Sequence, residues 1–256
     1  MKTMKCILLT ILLTANAIGF SQQELSEYKD IEGIYITTHW GDIDVNGTDG
    51  QEEVFNISAI FTDTSKQPKP IDNLSKYLKF EVLKKKLFIT ARTPKGFESI
   101  DIKLNIPSHL FLEIELLKGG NIYVNNMQHG IEINSLNGSV KLDQIGKYAL
   151  VNAANGEINA RFSHIHKDYP ISLVTMNGGV TATLPKDTAR DLRLISRKNG
   201  YVESDFSLET DKKIINLNIK VYAKQPIINT ARINGGGALL FLSTENGPLA
   251  IKKTKS

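Results

Sequence analysis

Asn137-Gly138-Ser139-Val140, Asn155-Gly156-Glu157-Ile158 and Asn177-Gly178-Gly179-Val180 are the stretch of sequence on which the fold turns. Each places a glycine two residues ahead of a β-branched apolar residue. Gly120-Asn121-Ile122 precedes them and Gly200-Tyr201-Val202, with Asn199 before it, follows. Successive glycines are spaced by 18, 18, 22 and 22 residues. Asn246-Gly247-Pro248-Leu249 closes the series and Gly41-Asp42-Ile43 is an early relative. The segments between are alike as well: Glu132–Leu136, Ala149–Ala153, Ser172–Met176 and Arg193–Arg197 alternate apolar and polar residues. A short-strand repeat near 20 residues predicts a solenoid, whose units bury a shared core only by stacking. Asn-Gly supplies the positive φ of a tight bend, because glycine has no Cβ and asparagine tolerates the left-handed region. The predicted corners are Gly41, Gly120, Asn137, Gly138, Asn155, Gly156, Asn177, Gly178, Asn199, Gly200, Asn246 and Gly247.

Upstream, strands continue without a clear repeat. Ile34–Thr38 is β-branched, Val54–Phe61 alternates, and Leu78–Leu83 with Leu87–Ala91 flank Lys84-Lys85-Lys86 as a hairpin. Ser99–Pro107 puts Ile100, Ile102, Leu104 and Ile106 on one face, and Pro107 stops it. Ile71, Leu74, Tyr77 and Leu78 recur at helical spacing after Pro68 and Pro70, which predicts one short helix. The division is a signal peptide over 1–21, an irregular N-terminal β section over 22–107 and repeats over 108–256. The last two are read as one continuous domain.

Lys2 and Lys5 precede the apolar run Cys6–Leu13, and small residues follow through Ala17. This is the pattern of a secretory signal peptide, cleaved after Ala17 or Ser21. The run is too short to span a bilayer. The expectation is therefore an exported protein, periplasmic, surface-displayed or secreted, with no membrane span after cleavage. Cys6 is the single cysteine, so the mature chain has neither disulfide nor thiol chemistry. Losing Lys2 and Lys5 takes the basic side chains from 31 to 29, against 27 acidic ones. With no basic, aromatic-rich block, nucleic acid is not indicated as a partner.

The order of Gly-Asp-Ile, a strand ending at Pro107 and recurrent Asn-Gly-x-Ile/Val steps resembles the bacterial putative adhesin family, exported β-strand-repeat domains of unknown function. The resemblance spans about Ile31 to Lys252. It implies an all-β, right-handed β-helix-like solenoid with an irregular N-terminal section. It carries no catalytic residues.

Candidate chemistry is sparse. Asp42, Asp44, Asn46, Gly47 and Glu53 fit the calcium-loop pattern, with Asp49 where an apolar residue belongs. That loop needs flanking helices, and the flanks here read as strands, so a polar strand face ending in an Asn-Gly turn is the preferred reading. His164 and His166 have the spacing of two ligands on one strand face, with Asp168 beyond, yet no matching cluster lies nearby. His39, His109 and His129 stand alone. Gly235-Gly236-Gly237 precedes a strand, not the helix an anion cradle needs. The position after each corner glycine varies, so no acidic ladder is expected, and Asp143 and Glu157 are isolated acids. Trp40 packs at a rim or stacks on a sugar ring. These readings predict a non-enzymatic binding or scaffolding module of the cell envelope, adhesin-like, without cofactor, its partner an envelope protein or an extracellular glycan. The alternative is a carbohydrate-active β-helix, a polysaccharide lyase or hydrolase, which needs converging carboxylates.

Overall fold

A computed structural model describes residues 21–24, 30–49, 55–63, 66–71, 73–93, 99–210, 214–216 and 227–255. The predicted signal peptide and Glu53 fall almost wholly outside them; only Ser21 is described. The described chain is strand after strand. The first nine are β1 Ser21–Glu24, β2 Gly33–Trp40, β3 Ile43–Thr48, β4 Asn56–Asp63, β5 Lys66–Pro70, β6 Leu78–Leu83, β7 Lys86–Ala91, β8 Ser99–Pro107 and β9 Phe111–Gly119. Then come β10 Ile122–Asn125, β11 Gly130–Asn137, β12 Val140–Ile145, β13 Tyr148–Asn155, β14 Ile158–Phe162, β15 Ile171–Asn177, β16 Val180–Leu184 and β17 Arg190–Lys198. The last are β18 Val202–Ser204, β19 Ser207–Glu209, β20 Ile214–Asn216, β21 Ile227–Ile233, β22 Leu239–Asn246 and β23 Leu249–Lys253.

They form two large mixed sheets, neither of them closed. Sheet I runs β1-β4-β8-β3-β10-β12-β14-β16-β23-β18, with β5 on β4; sheet II runs β20-β19-β21-β17-β22-β15-β13-β11-β9-β2-β7-β6. A strand of sheet II, a corner and a strand of sheet I make one tier. In spatial order the tiers are β7/β8, β2/β3, β9/β10, β11/β12, β13/β14, β15/β16, β22/β23 and β17/β18. Neighbouring tiers pair parallel and in register, for example Ile122↔Val140↔Ile158↔Val180 in sheet I and Ile133↔Val151↔Leu173 in sheet II. Antiparallel strands flank the outer tiers: β4 and β6 on one side, β21 on the other. Alternation turns one side of each strand inward, and inward Ile, Leu and Val from both sheets form one buried cluster. The 22–107 and 108–256 sections share both sheets, since β2 pairs with β9 and β3 with β10.

At the corners the glycines form a column. Gly41, Gly120, Gly138, Gly156, Gly178 and Gly247 have φ between +119° and +149°, which side-chain-bearing residues rarely adopt. A Cβ on any of these six, or on Gly200, would lie 1.7–2.3 Å from a backbone oxygen of the adjacent tier. The asparagines have a different task from the one the sequence suggests. Among the corner asparagines only Asn199 has a positive φ. The others form a ladder: Asn246 Nδ2 donates to Asn177 Oδ1 (2.8 Å), Asn177 to Asn155 (2.7 Å), Asn155 to Asn137 (2.8 Å) and Asn137 to the Lys118 carbonyl (2.5 Å). Parallel in-register pairing stacks like residues, and an amide can donate to the one below while accepting from the one above.

Three expectations are corrected. The short helix is a single 3-10 turn, Leu74–Lys76. Eight residues cannot repay helix nucleation, and the apolar trio Ile71, Leu74 and Leu78 is simply buried on its way into β6. Asn246-Gly247-Pro248-Leu249, which closes the series in the sequence, belongs to an inner tier, since β23 lies between β16 and β18. Gly178 and Gly200, consecutive in the sequence series, are separated by Gly247.

Candidate functional site

Strand β2 ends with Thr38 inward and His39 and Trp40 exposed. Pairing with β9 slips here, Thr38↔Leu116 giving way to Trp40↔Gly119, so β9 carries one extra residue. Such a bulge re-aims a side chain. The indole comes to lie over Gly119, where a Cβ would sit 2.7 Å from Trp40 Cζ3. One side of the ring is thus backed by backbone, and the residue remains 44% exposed.

Trp40 stands in a cleft of about 980 Å³ at the corners of the first three tiers. Its acids are partly committed. Asp101 Oδ1 accepts the Asp42 amide (2.9 Å) and Oδ2 accepts the Thr62 hydroxyl (2.6 Å). Asp42 Oδ1 accepts the Asn121 amide (2.7 Å), and Asn121 Oδ1 accepts the Ser139 amide (3.1 Å). This is a second, shorter column, built from the residues after Gly41, Gly120 and Gly138. His39, Arg92 and Lys118 also line the cleft, and none has a side-chain partner among the described residues.

The calcium pattern is spread along an extended strand. Asp42 caps Asn121, Asp44 pairs with Lys103 (3.9 Å), and Asn46 belongs to an amide chain through Asn125, Asn105 and Asn56. Asp49 accepts from Ser108 and from Asn126 (2.7 Å), and these bonds hold its carboxyl below the usual range. Glu53 lies outside the described residues. His164 and His166 diverge: His164 sits against Gly146, whereas His166 meets Tyr169 edge-on at 4.9 Å and Asp168 at 3.9 Å. Among the described residues no three His, Cys, Asp or Glu gather in a group that could hold a metal.

A second surface was not legible from the corners. On the outer face of sheet II, Glu113 of β9 stands directly opposite Glu132 of β11. Burial, with Glu132 beside it, pushes the Glu113 carboxyl up. Comparing strands at a 19-residue offset would have found this pair; comparing corners at 18 does not. Nearby, Tyr35 stacks on Phe88 (4.8 Å) and tilts against Phe111 (5.8 Å), and Tyr148 stacks on Tyr169 (5.3 Å). These rings cover one another, unlike Trp40. A hollow of about 480 Å³ lies between Tyr35, Lys86, His109, Phe111 and His129. Lys147 lies 2.9 Å from His129 Nε2, and burial first, then Lys147, lowers the imidazole pKa.

No protein-family model matches the sequence, and no curated protein does either. Solved structures do. A putative cell adhesion protein from Clostridium sporogenes is 14% identical over 92% of this chain and 99% of that one, with a TM-score of 0.52. A putative adhesin from Bacteroides fragilis is 11% identical over 93% and 98%, with a TM-score of 0.43. A putative lipid binding protein from Parabacteroides distasonis is 13% identical over 92% and 97%, with a TM-score of 0.30. At 14% identity the likeness to the Clostridium sporogenes structure is one of fold.

Proposed function

We propose that the chain is an exported, non-enzymatic binding module of the cell envelope, adhesin-like, and that its tiers form a right-handed β-helix-like solenoid. In this reading residues 1–21 are removed, 22–107 form one end of the stack and 108–256 the rest. The observation that carries the binding role is Trp40. It is the only tryptophan, it is half-exposed on a glycine, and it stands in a cleft of about 980 Å³. Leaving so large an apolar ring in water is unfavourable unless a ligand covers it. The cell adhesion named for the Clostridium sporogenes structure is consistent with this reading.

The test is binding of the exported protein to arrayed glycans and matrix proteins, with calcium and with EDTA, while released products are assayed in the same wells. Saturable binding without cleavage supports the proposal, and silence in every well refutes it. Loss of signal in EDTA would restore the Asp42–Glu53 site. One observation favours a second reading, a carbohydrate-active enzyme: Glu113 and Glu132 are neighbouring carboxylates, and glycoside hydrolysis uses such a pair. Product release abolished by Glu113→Gln would establish it.

A further inference from the structure

The Trp40 cleft also carries polar groups in a pattern that names a ligand class; the argument rests on the binding reading and takes the same cleft. The supported indole offers one free face to a flat apolar surface, such as the C–H face of a pyranose. Around it stand acceptors and hydroxyls. Asp42 Oδ2 has no partner among the described residues, and the Thr62 hydroxyl, which donates to Asp101, still has lone pairs to accept with. Thr93 and Ser99 add two more hydroxyls to the lining. A ligand rich in hydroxyl groups satisfies them.

Charge narrows the class. Arg92 and Lys118 face the cleft without a carboxylate partner among the described residues, because Asp42 and Asp101 are turned to the corner amides and Thr62. A guanidinium presents a planar fork that matches a carboxylate in two parallel hydrogen bonds. A phosphate dianion would bring a second charge toward Asp42 and Asp101, whereas one carboxylate on a hydroxylated ring leaves those acids hydroxyl donors to accept. A volume of about 980 Å³ leaves room for more than one sugar. We infer that the Trp40 cleft binds an acidic glycan through a uronic-acid unit, with the pyranose on the indole, the ring hydroxyls on Asp42 and Thr62, and the carboxylate on Arg92 and Lys118.

Because Trp40 is the only tryptophan, its fluorescence reads this cleft alone. The exported protein is titrated with oligomers of galacturonate, glucuronate and mannuronate, with their uncharged hexose counterparts and with a nucleoside monophosphate. At least one uronate oligomer should shift the emission saturably, binding about tenfold or more tightly than its uncharged counterpart, as expected for a charge-assisted bond. Arg92→Gln should bring uronate affinity down toward the uncharged level, and Arg92→Gln with Lys118→Gln all the way to it, both at unchanged Tm. Trp40→Phe, followed by calorimetry, should weaken both. Equal affinity for charged and uncharged oligomers would overturn the uronate assignment and leave the binding module standing, and tighter nucleotide binding would replace it with another class. Array binding that Trp40→Phe leaves untouched would remove the cleft but not the module. Silence in both assays would remove both.

Discussion

Replacing Gly156 by alanine isolates the force that spaces the tiers. At φ +142° an alanine is strained by about 1–3 kcal/mol. Its Cβ would also lie 2.1 Å from the Gly138 oxygen, where ordinary contact begins at 3.4 Å. Relief requires tiers β11/β12 and β13/β14 to part locally by more than 1 Å. Two backbone bonds hold them together there, Gly138 N to Asn155 O at 2.8 Å and Val140 N to Glu157 O at 2.9 Å. Stretching both forfeits roughly 0.5–1.5 kcal/mol apiece, for a total of about 2–6 kcal/mol with the backbone strain. In a chain of this size that lowers Tm by roughly 4–24 °C. Gly235→Ala is the control: its φ is +86°, but nothing lies within 4 Å of the added methyl, so only the strain of about 1–2 kcal/mol remains. Both variants are melted by circular dichroism at one scan rate and unfolded in urea, where an unchanged slope confirms that stability alone has moved. Equal losses in the two variants, or a Gly156→Ala midpoint within about 2 °C of the parent, would show that the glycine column does not set the tier spacing.

The other structural readings are tested in the same way. Asn177→Ala removes one donated and one accepted ladder bond and should cost about 1–2 kcal/mol, read as a lower urea midpoint; no change would mean that the ladder is ornamental. Arg190 is buried, and its guanidinium donates to the carbonyls of His166, Lys167, Tyr169 and Ala238. Arg190→Met strands several of these acceptors and should cost about 3 kcal/mol or more, with faster proteolysis between Ser163 and Pro170; Arg190→Lys should not rescue it, since one ammonium cannot span the four. His129 has its pKa lowered in the fold, so the unfolded chain takes up a proton first as pH falls. Stability from this residue is complete above the ordinary imidazole pKa and is lost as pH drops through it toward the folded value. Tm should therefore fall from pH 7.5 to 5 less steeply in His129→Gln than in the parent. Deleting 247–256 removes β23, leaves β16 and β18 without their shared partner and strips Leu249 and Ile251 from the core, so the truncated chain should not fold; a melt within a few degrees of the parent would contradict the tier order.

The middle of the fold was legible because its sequence neighbours are its spatial neighbours. From Gly120 to Gly178 the glycine intervals are the register offsets of the paired strands, and burial keeps the alternation clear. The ends were not legible. β2/β3 sits between β7/β8 and β9/β10, and β22/β23 between β15/β16 and β17/β18. Ile43 pairs with Ile122, 79 residues away, and no local pattern encodes a pairing set by which edge is open when the segment arrives. Asparagine was misread for a related reason: a single Asn-Gly is a turn signal, and its ladder role exists only once copies stack. Trp40 was visible as a candidate, whereas Arg92 and Lys118 were not. They line its cleft from just past the end of β7 and from β9, and proximity between parallel strands leaves no trace at short range.

The site lies where the repeat breaks. Counting back one residue from each corner glycine gives Asn137, Asn155, Asn177 and Asn246 in the four tiers whose amides are chained. The same position holds Gly119 in β9 and Trp40 in β2. At Gly119 the amide column has no further side chain to bond, so Asn137 donates to the Lys118 carbonyl instead. The room left by the missing side chain is where the indole lies. An asparagine at 119 would continue the ladder, but its Cβ would fall 2.7 Å from Trp40 Cζ3, so ladder and platform exclude each other. Local rules hold along a fold except at strained or functional positions, and the departure here is what singles out the proposed site. It replaces one amide rung with an indole laid over Gly119, half-exposed beside Arg92 and Lys118, whose side chains have no partner among the described residues. Under the binding proposal, that half-exposed face is what the ligand would cover.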